Sequence, residues 1–339
     1  MSGSDALLEI NRLSLSYRVG GLALRGLKNV SLTLDRGRIL GVVGESGSGK
    51  STLSFAIPRL LPKNARIEGG SIRFAGTDMS LLSEATLETV RGARIAMIFQ
   101  DPLSSLHPCM TIGRQMSDAQ RAHGRSAARE RRTKAIEMLR LVGLSDPEQN
   151  LDRYPHQFSG GMRQRIMIAT ALLLQPDLLI ADEPTSALDV VLQDQIVELL
   201  TGLRDRLGTA ILIVSHDLGV VGDAADDILV MYAGEVMEYG PAGEIIGQPL
   251  HPYTQALIRV MPSRRARGRA LPTIPGRVPN AREPIIGCAF AGRCEMTRSV
   301  CYAKRPVLSV AGERKVRCHI HDLASGWHDA PKLSEPVTA

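Results

Sequence analysis

The 339-residue sequence has no run approaching the roughly eighteen consecutive apolar residues that a membrane-spanning helix needs. A helix embedded in a bilayer is therefore not expected. The N-terminus, MSGSDALLEI, lacks the basic-then-apolar form of a secretion signal. A cytoplasmic chain is expected, with any membrane link running through partners. Between Gln100 and Ser159 no heptad pattern is sustained, which excludes a long coiled coil there. Cysteine is scarce: there are five, none at the tight C-x₂₋₄-C spacing usual for structural zinc. Disulfides are not expected in a reducing compartment. Against these absences stands a hydrophobic content of 44%, enough for a sizeable core in one large domain and a smaller one. The net charge of +6 permits an acidic partner, nucleic acid or anionic lipid, without demanding one.

The stretch Gly44-Glu45-Ser46-Gly47-Ser48-Gly49-Lys50-Ser51-Thr52 follows the apolar run Ile39–Val43 and opens a predicted helix over Lys50–Leu61. The glycines let the backbone curl so that successive N–H groups point at a polyphosphate, and the helix N-terminus adds its positive end. Lys50 can reach the β- and γ-phosphates, and the Ser51 hydroxyl can ligate Mg²⁺. The alternative is a plain Gly/Ser turn, which full GxxxxGK[ST] spacing between strand and helix argues against.

Upstream, Leu13–Tyr17 and Val30–Leu34 alternate as strands, and Tyr17 stands where its ring could stack on adenine or simply pack. Gln100 ends the apolar run Ile95–Phe99, at the strand edge where ligands of α/β sheets bind, although such a glutamine is often only a solvated loop residue. From Asp101 to about Leu151 the chain is Arg- and Ala-rich, with Ile136, Leu139, Leu141 and Leu144 at helical spacing. This predicts a helical insertion whose basic face is solvated, with nucleic acid a lesser alternative. Ser159-Gly160-Gly161 precedes a predicted helix over Ile166–Leu174, either as a second phosphate-binding geometry or as a simple cap. The run Leu178–Ala181 ends in Asp182 and Glu183, which suits a Mg²⁺ ligand followed by a base for water. Ala210–Ser215 is another buried strand, and His216 at its end can contact a γ-phosphate or be structural. Asp227–Tyr239 predicts two short strands turning at Ala233-Gly234. Beyond Pro241 come a helix begun by His251-Pro252-Tyr253-Thr254, a linker marked by Arg264, Arg265, Arg267 and Arg269, and the proline-punctuated Leu271–Gly276.

Together these residues resemble the ATP-binding-cassette (ABC) ATPases. Tyr17 matches the adenine-stacking aromatic, Gly44–Thr52 the Walker A loop, Gln100 the Q-loop and Ser159-Gly160-Gly161 the signature. Leu178–Glu183 matches Walker B, Ser186-Ala187-Leu188-Asp189 the D-loop and His216 the switch histidine. Phe158 replaces the usual Leu and Met162 the usual Gln, leaving Ser-Gly-Gly intact. The stretch Phe99–Pro108, the His251–Thr254 box and the segment leading to Gly287-Cys288 are similar to the oligopeptide/dipeptide importer ATPases, a group that includes nickel importers. Here His107 stands for the usual Asn, and Gly292-Arg293-Cys294 lacks the usual Pro.

The resemblance implies an α/β P-loop NTPase core with an antiparallel β subdomain, a helical insertion and a small Cys-containing C-terminal extension. Its boundaries would be 5–250 for the cassette, about 101–165 for the insertion and 251–330 for the extension. It implies ATP and Mg²⁺, the latter held by Ser51, Gln100 and Asp182, with Glu183, His216 and Gln100 catalytic. It also implies a second ATPase subunit closing face to face, two transmembrane permeases docked near Gln100, and an extracytoplasmic binding protein. The chain would lie on the cytoplasmic face of the inner membrane and drive import of peptides, with nickel or small glycosides as alternatives. A soluble ATPase of this fold acting on nucleic acid is the competing class. It is disfavoured by the missing coiled coil and the single Walker A loop.

Cys288, Cys294, Cys301 and Cys318 are spaced C-x₅-C-x₆-C-x₁₆-C, while Cys109 is expected as a lone buried thiol. Wide loops suit four thiolates around a larger cluster, and the similar importer tails can hold [4Fe–4S]. Zinc and four bare thiols stay open as alternatives.

Overall fold

The computed structural model describes residues 6–101, 105–124, 127–186, 188–261 and 273–330. Several sequence features fall outside these residues: Pro102, Leu103 and Ser104 after the Q-loop, Arg125 and Ser126, Ala187 of the D-loop, and the linker with Arg264, Arg265, Arg267, Arg269, Leu271 and Pro272. The chain divides into two compact units, one built mainly of 74–215 and the other mainly of 9–33, 40–73 and 216–330.

In the first unit, Ile95–Ile98, Leu178–Asp182 and Ala210–Ser215 form adjacent parallel strands, with Ile98 opposite Ala181 and Asp182 opposite Val214. The latter two strands are buried at every position, as expected where both faces of a parallel sheet are covered. Parallel pairing brings the carboxyl ends to one edge, so Gln100 and Glu183 leave the sheet side by side. Helix Val190–Leu207 links the second and third strands, capped by Asp189 at its start and by Gly208 at φ 70° at its end.

The insertion is helical, with Ile112–Ala122, Ala128–Leu141, Pro147–Asn150 and Gly160–Leu172. Its buried face is Ala135, Met138, Leu139, Val142 and Leu144, a phase slightly turned from the predicted one, since Ile136 and Leu141 are only half-buried. Outward arginines pair with nearby acids: Arg121 with Asp118, Arg132 with Asp152 and Arg140 with Glu148. The helix expected to begin at Ile166 begins at Gly160. Ser159 caps it by accepting the Met162 N–H, which compensates for two glycines of low helix propensity. Cys109, expected to be buried, is exposed, because it sits in a surface turn after His107.

In the second unit, strands Ala6–Val19 and Leu22–Asp35 are joined by Gly20-Gly21, both at positive φ, a connection that only an antiparallel hairpin allows. Ala65–Phe74 lies on the other side of the first strand. Five strands of an eight-stranded sheet follow in the order Ser309–Ala311, Arg314–Val316, Glu235–Pro241, Asp227–Tyr232, Ile39–Val43. The C-terminal tail thus adds a strand to the sheet that carries the phosphate loop, with Val316 opposite Glu238. Ala233 (φ 48°) and Gly234 (φ 83°) make the tight turn between the two central antiparallel strands. The helix expected over Lys50–Leu61 stops at Ala56. Pro58 explains this, for it has no N–H to continue the ladder. Among the described residues no helix is long and apolar enough to cross a membrane.

Candidate active site

The phosphate loop takes its shape from three glycines at positive φ: Gly44 (152°), Gly47 (77°) and Gly49 (100°). At Gly44 a Cβ would lie 2.2 Å from the Met231 carbonyl oxygen, so only glycine fits between the loop and the neighbouring strand. Lys50 is folded back into the loop, 4% exposed, and donates to the carbonyls of Gly44 (2.7 Å) and Glu45 (3.0 Å). Ser48 is buried, and Ser46, Gly47 and Ser51 are exposed. The loop therefore exposes Ser46, Gly47 and Ser51 around the start of helix Lys50–Ala56. Tyr17, half-buried, shares a 2.9 Å hydrogen bond between its hydroxyl and that of Thr52, which fixes the ring beside this helix. Gly26 presses against the same ring, a Cβ there coming within 3.0 Å of Tyr17 Cε2.

In the other unit Asp182 is 5% exposed at the end of its strand, and Glu183 follows with φ 48°. A left-handed glutamate costs of order 1 kcal/mol in backbone strain. It persists because its N–H donates to Val214 O (2.9 Å) and its carbonyl accepts from the Ser186 N–H and hydroxyl. The turn swings the carboxylate out of the strand's alternation, and Gln100 Nε2 donates to Glu183 Oε2 at 3.0 Å. The structure thus brings Gln100 and Glu183 together. Ser159 and Gly160 are exposed and Gly161 is packed against Leu192, so the signature residues form the first turn of a helix rather than a loop ahead of it. His216 is exposed at the end of Ala210–Ser215, and Asp217 caps the short helix Leu218–Gly222 behind it.

Sequence reasoning missed the side chains that hold Glu45, the second residue of the phosphate loop. Its N–H donates to Tyr253 Oη (2.9 Å) and its carboxylate takes a two-pronged grip from Arg293 (2.6 and 2.9 Å). Tyr253 is fully buried against Tyr232 and Phe290, and burial raises its hydroxyl well above the ordinary tyrosine range. The only sequence trace of Arg293 is its place before Cys294. His251, which caps helix Pro252–Val260 by accepting the Tyr253 N–H, is held in turn by Glu238, which accepts the N–H groups of Leu250 and His251. Burial pushes His251 down to about 3, so it is neutral at ordinary pH.

Cys288, Cys294, Cys301 and Cys318 line one cavity of about 20 Å³, with His251, Phe290, His319 and Trp327. Four thiols facing one space are a donor set that suits a thiolate-bound centre. The space itself has room for about one water, and among the described residues no three His, Cys, Asp or Glu side chains are placed to hold a metal ion. As arranged here, the tail does not support the expected iron–sulfur cluster. Burial pushes the Cys288 thiol up, Cys294 to about 12 and Cys318 to about 11, so these three are protonated.

Comparison with known proteins places these features in a family. Residues 27–186 match the ABC transporter model and 237–301 the oligopeptide/dipeptide transporter C-terminal region. A probable peptide ABC transporter ATP-binding protein of Sinorhizobium fredii is 50% identical over 90% of this chain and 92% of its own length. The dipeptide transport ATP-binding protein DppD of Escherichia coli is 43% identical over 93% of this chain and 96% of its own. Among solved structures, a dimeric ATP-binding cassette in a post-hydrolysis state with ADP and Pi superposes with a TM-score of 0.62 at 29% identity, covering 69% of this chain and 98% of that one. A Clostridium perfringens subunit of the cbiONQ ABC transporter complex gives 0.63 at 27% identity, covering 72% and 92%. The chain belongs to the ABC transporter family and is an ATP-hydrolysing subunit of the group that carries the oligopeptide/dipeptide transporter C-terminal region.

Proposed function

We propose that this chain supplies ATP hydrolysis for peptide import, as a peripheral subunit on the cytoplasmic face of the inner membrane. Its partners are a second, related ATPase, two transmembrane permeases and an extracytoplasmic binding protein. The observation that carries the cargo is similarity to a dipeptide transport ATP-binding protein through both the cassette and the C-terminal region, over 93% of the chain. That favours peptide over nickel. The acid-paired arginines of the insertion favour a solvated face over nucleic acid. The division into a cassette over 5–250, with the insertion at about 101–165, and an extension over 251–330 belongs to the same proposal.

The roles follow from the side chains. In the phosphate-loop unit, Lys50 leaves the carbonyls of Gly44 and Glu45 for the phosphates, backbone N–H groups of Gly47–Thr52 cradle them, and Tyr17 stacks on adenine. In the other unit, Glu183 accepts a proton from the attacking water, held in orientation by Gln100. Oxygen bonds to the γ-phosphorus, the bond to the β–γ bridging oxygen breaks, and ADP leaves with that oxygen. Ser51, Asp182 and Gln100 are the residues that would hold Mg²⁺, which would supply charge neutralisation for the phosphates. His216 contacts the γ-phosphate, and Ser159-Gly160-Gly161 serves the nucleotide of the second ATPase through its helix N-terminus. Phosphoryl transfer needs little more than this positioning and charge stabilisation. In the tail, Cys288, Cys294, Cys301 and Cys318 are the donor set a [4Fe–4S] centre would need, but the cavity they line has room for about one water, so no role is assigned to a cluster there.

The test is reconstitution of the full complex in proteoliposomes. ATP-dependent uptake of a labelled dipeptide that is lost with Lys50→Ala is the expected result. Uptake of nickel without dipeptide would overturn the cargo.

A further inference from the structure

We infer that Arg293 is a positioning residue for the phosphate loop, acting through Glu45. The guanidinium is held on every side. Nη1 donates to Glu45 Oε2 (2.6 Å) and Tyr232 Oη (3.2 Å), and Nη2 to Glu45 Oε1 (2.9 Å) and the Ile274 carbonyl (3.0 Å). Nε donates to the Pro275 carbonyl (2.8 Å). The rings of Tyr232 and Phe290 flank the group at 5.7 and 5.9 Å, and Gly276, at φ 81°, lets the side-chain stem pass where a Cβ would come within 2.9 Å. The arginine side chain is 5% exposed and that of Glu45 26%. Burial opposes the charge, but the Glu45 carboxylate and the Tyr232 hydroxyl together outweigh it and raise the guanidinium above its ordinary value.

A planar fork fixed at this many points can hold a carboxylate in one orientation only. The backbone of the gripped residue is the loop itself. Glu45 is bound at its N–H by Tyr253, at its carboxylate by Arg293, and its carbonyl receives Lys50 Nζ at 3.0 Å. The carbonyl also accepts the Ser48 N–H at 3.2 Å. Fixing Glu45 therefore fixes the entry of the loop and the resting place of its lysine before nucleotide arrives. Both clamping residues, Tyr253 and Arg293, lie outside the residues matched by the ABC transporter model and inside those matched by the C-terminal region. The C-terminal region thus pre-organises the phosphate loop. Preorganisation lowers the ordering cost of binding, so its loss is read in affinity before turnover.

The inference rests on the phosphate loop being the nucleotide site, and the test separates the two. Full-length protein is titrated with the fluorescent ATP analogue mant-ATP well below its melting temperature, and ATPase KM and kcat are measured in the assembled complex. Arg293→Met and Glu45→Gln should each raise Kd and KM about tenfold with kcat within about threefold, and the double variant should be no worse than either single one. Arg293→Lys, which keeps charge without the fork, should fall between. Unchanged affinity in a folded Arg293→Met, or additive losses in the double variant, would overturn the role. Should Arg293→Met fail to fold, Glu45→Gln decides alone, since it keeps size on a part-exposed side chain: unchanged Kd and KM overturn the role, and the tenfold rise sustains it. Lys50→Ala is the separate control. If it retains mant-ATP affinity, the nucleotide site itself is misassigned; if it loses affinity while Arg293→Met does not, only the positioning role falls.

Discussion

Gln100 donates its amide to Glu183 across 3.0 Å, although the two residues are 83 positions apart in the chain. The contact depends on the left-handed backbone at Glu183, which turns the carboxylate toward the end of the neighbouring strand rather than into the sheet. The amide holds the carboxylate in one orientation, as the proposed role of Glu183 as a base requires.

Replacing Glu183 with Gln removes the proton acceptor and leaves the phosphate loop untouched. ATP binding should persist, hydrolysis should fall at least ~10²-fold, and a closed ATP-bound dimer should accumulate. Phosphate release and gel filtration check both parts. Near-normal hydrolysis in a complex whose only competent site uses Glu183 would refute the base.

For Tyr17 the ring and the hydroxyl separate. Tyr17→Ala should raise KM for ATP with a smaller effect on kcat, because stacking contributes to ground and transition states alike. Tyr17→Phe loses only the hydrogen bond to Thr52, worth about 1 kcal/mol of stability, and should keep KM near the parent value. An unchanged KM in Tyr17→Ala would leave the ring a packing residue.

The tail supplies a spectroscopic test. Anaerobically purified protein should be colourless and free of iron, because the cavity lined by the four cysteines has room for about one water; brown protein absorbing broadly near ~400 nm with about four irons per chain would overturn this. Colourless protein with one zinc or no metal would exclude the cluster. Cys→Ser at any of the four positions should destabilise the tail while Lys50-dependent nucleotide binding survives.

Two kinds of buried group give opposite pH signatures in metal-free protein. His251 is pushed from 6.5 to about 3 by burial. Its contribution is complete above 6.5 and is lost as pH falls toward 3, at up to about 1.4 kcal/mol per unit. His251→Asn, which can still accept the Tyr253 N–H, should flatten that acid limb of a melting-temperature profile. Cys294 and Cys318 are raised from 9 to about 12 and 11, so their contribution is complete below 9 and is lost as pH rises through those values. Cys294→Ala should flatten the alkaline limb.

The sequence by itself determined the local chemistry. Strand–loop–helix patterning located the glycine-rich loop Gly44–Thr52, because three glycines and a helix start shape its backbone locally. Apolar runs ending in Gln100, in Asp182-Glu183 and in His216 identified strand ends, because a buried strand must expose its polar residues where it stops. The same local rules failed where one residue outranked the pattern. Pro58 ended a helix that the periodicity carried on to Leu61, and Ser159 began one six residues before Ile166. Only the tertiary structure decided which side chains meet. Nothing local tells a glutamate in a phosphate loop that its partner is an arginine 248 residues away, or that a tyrosine after a His-Pro pair will receive its N–H. Those pairings follow from the tail adding a strand beside Glu235–Pro241 and packing Phe290 against Tyr232 and Tyr253. Hydrogen-bond direction and burial are fixed only once distant segments share a core.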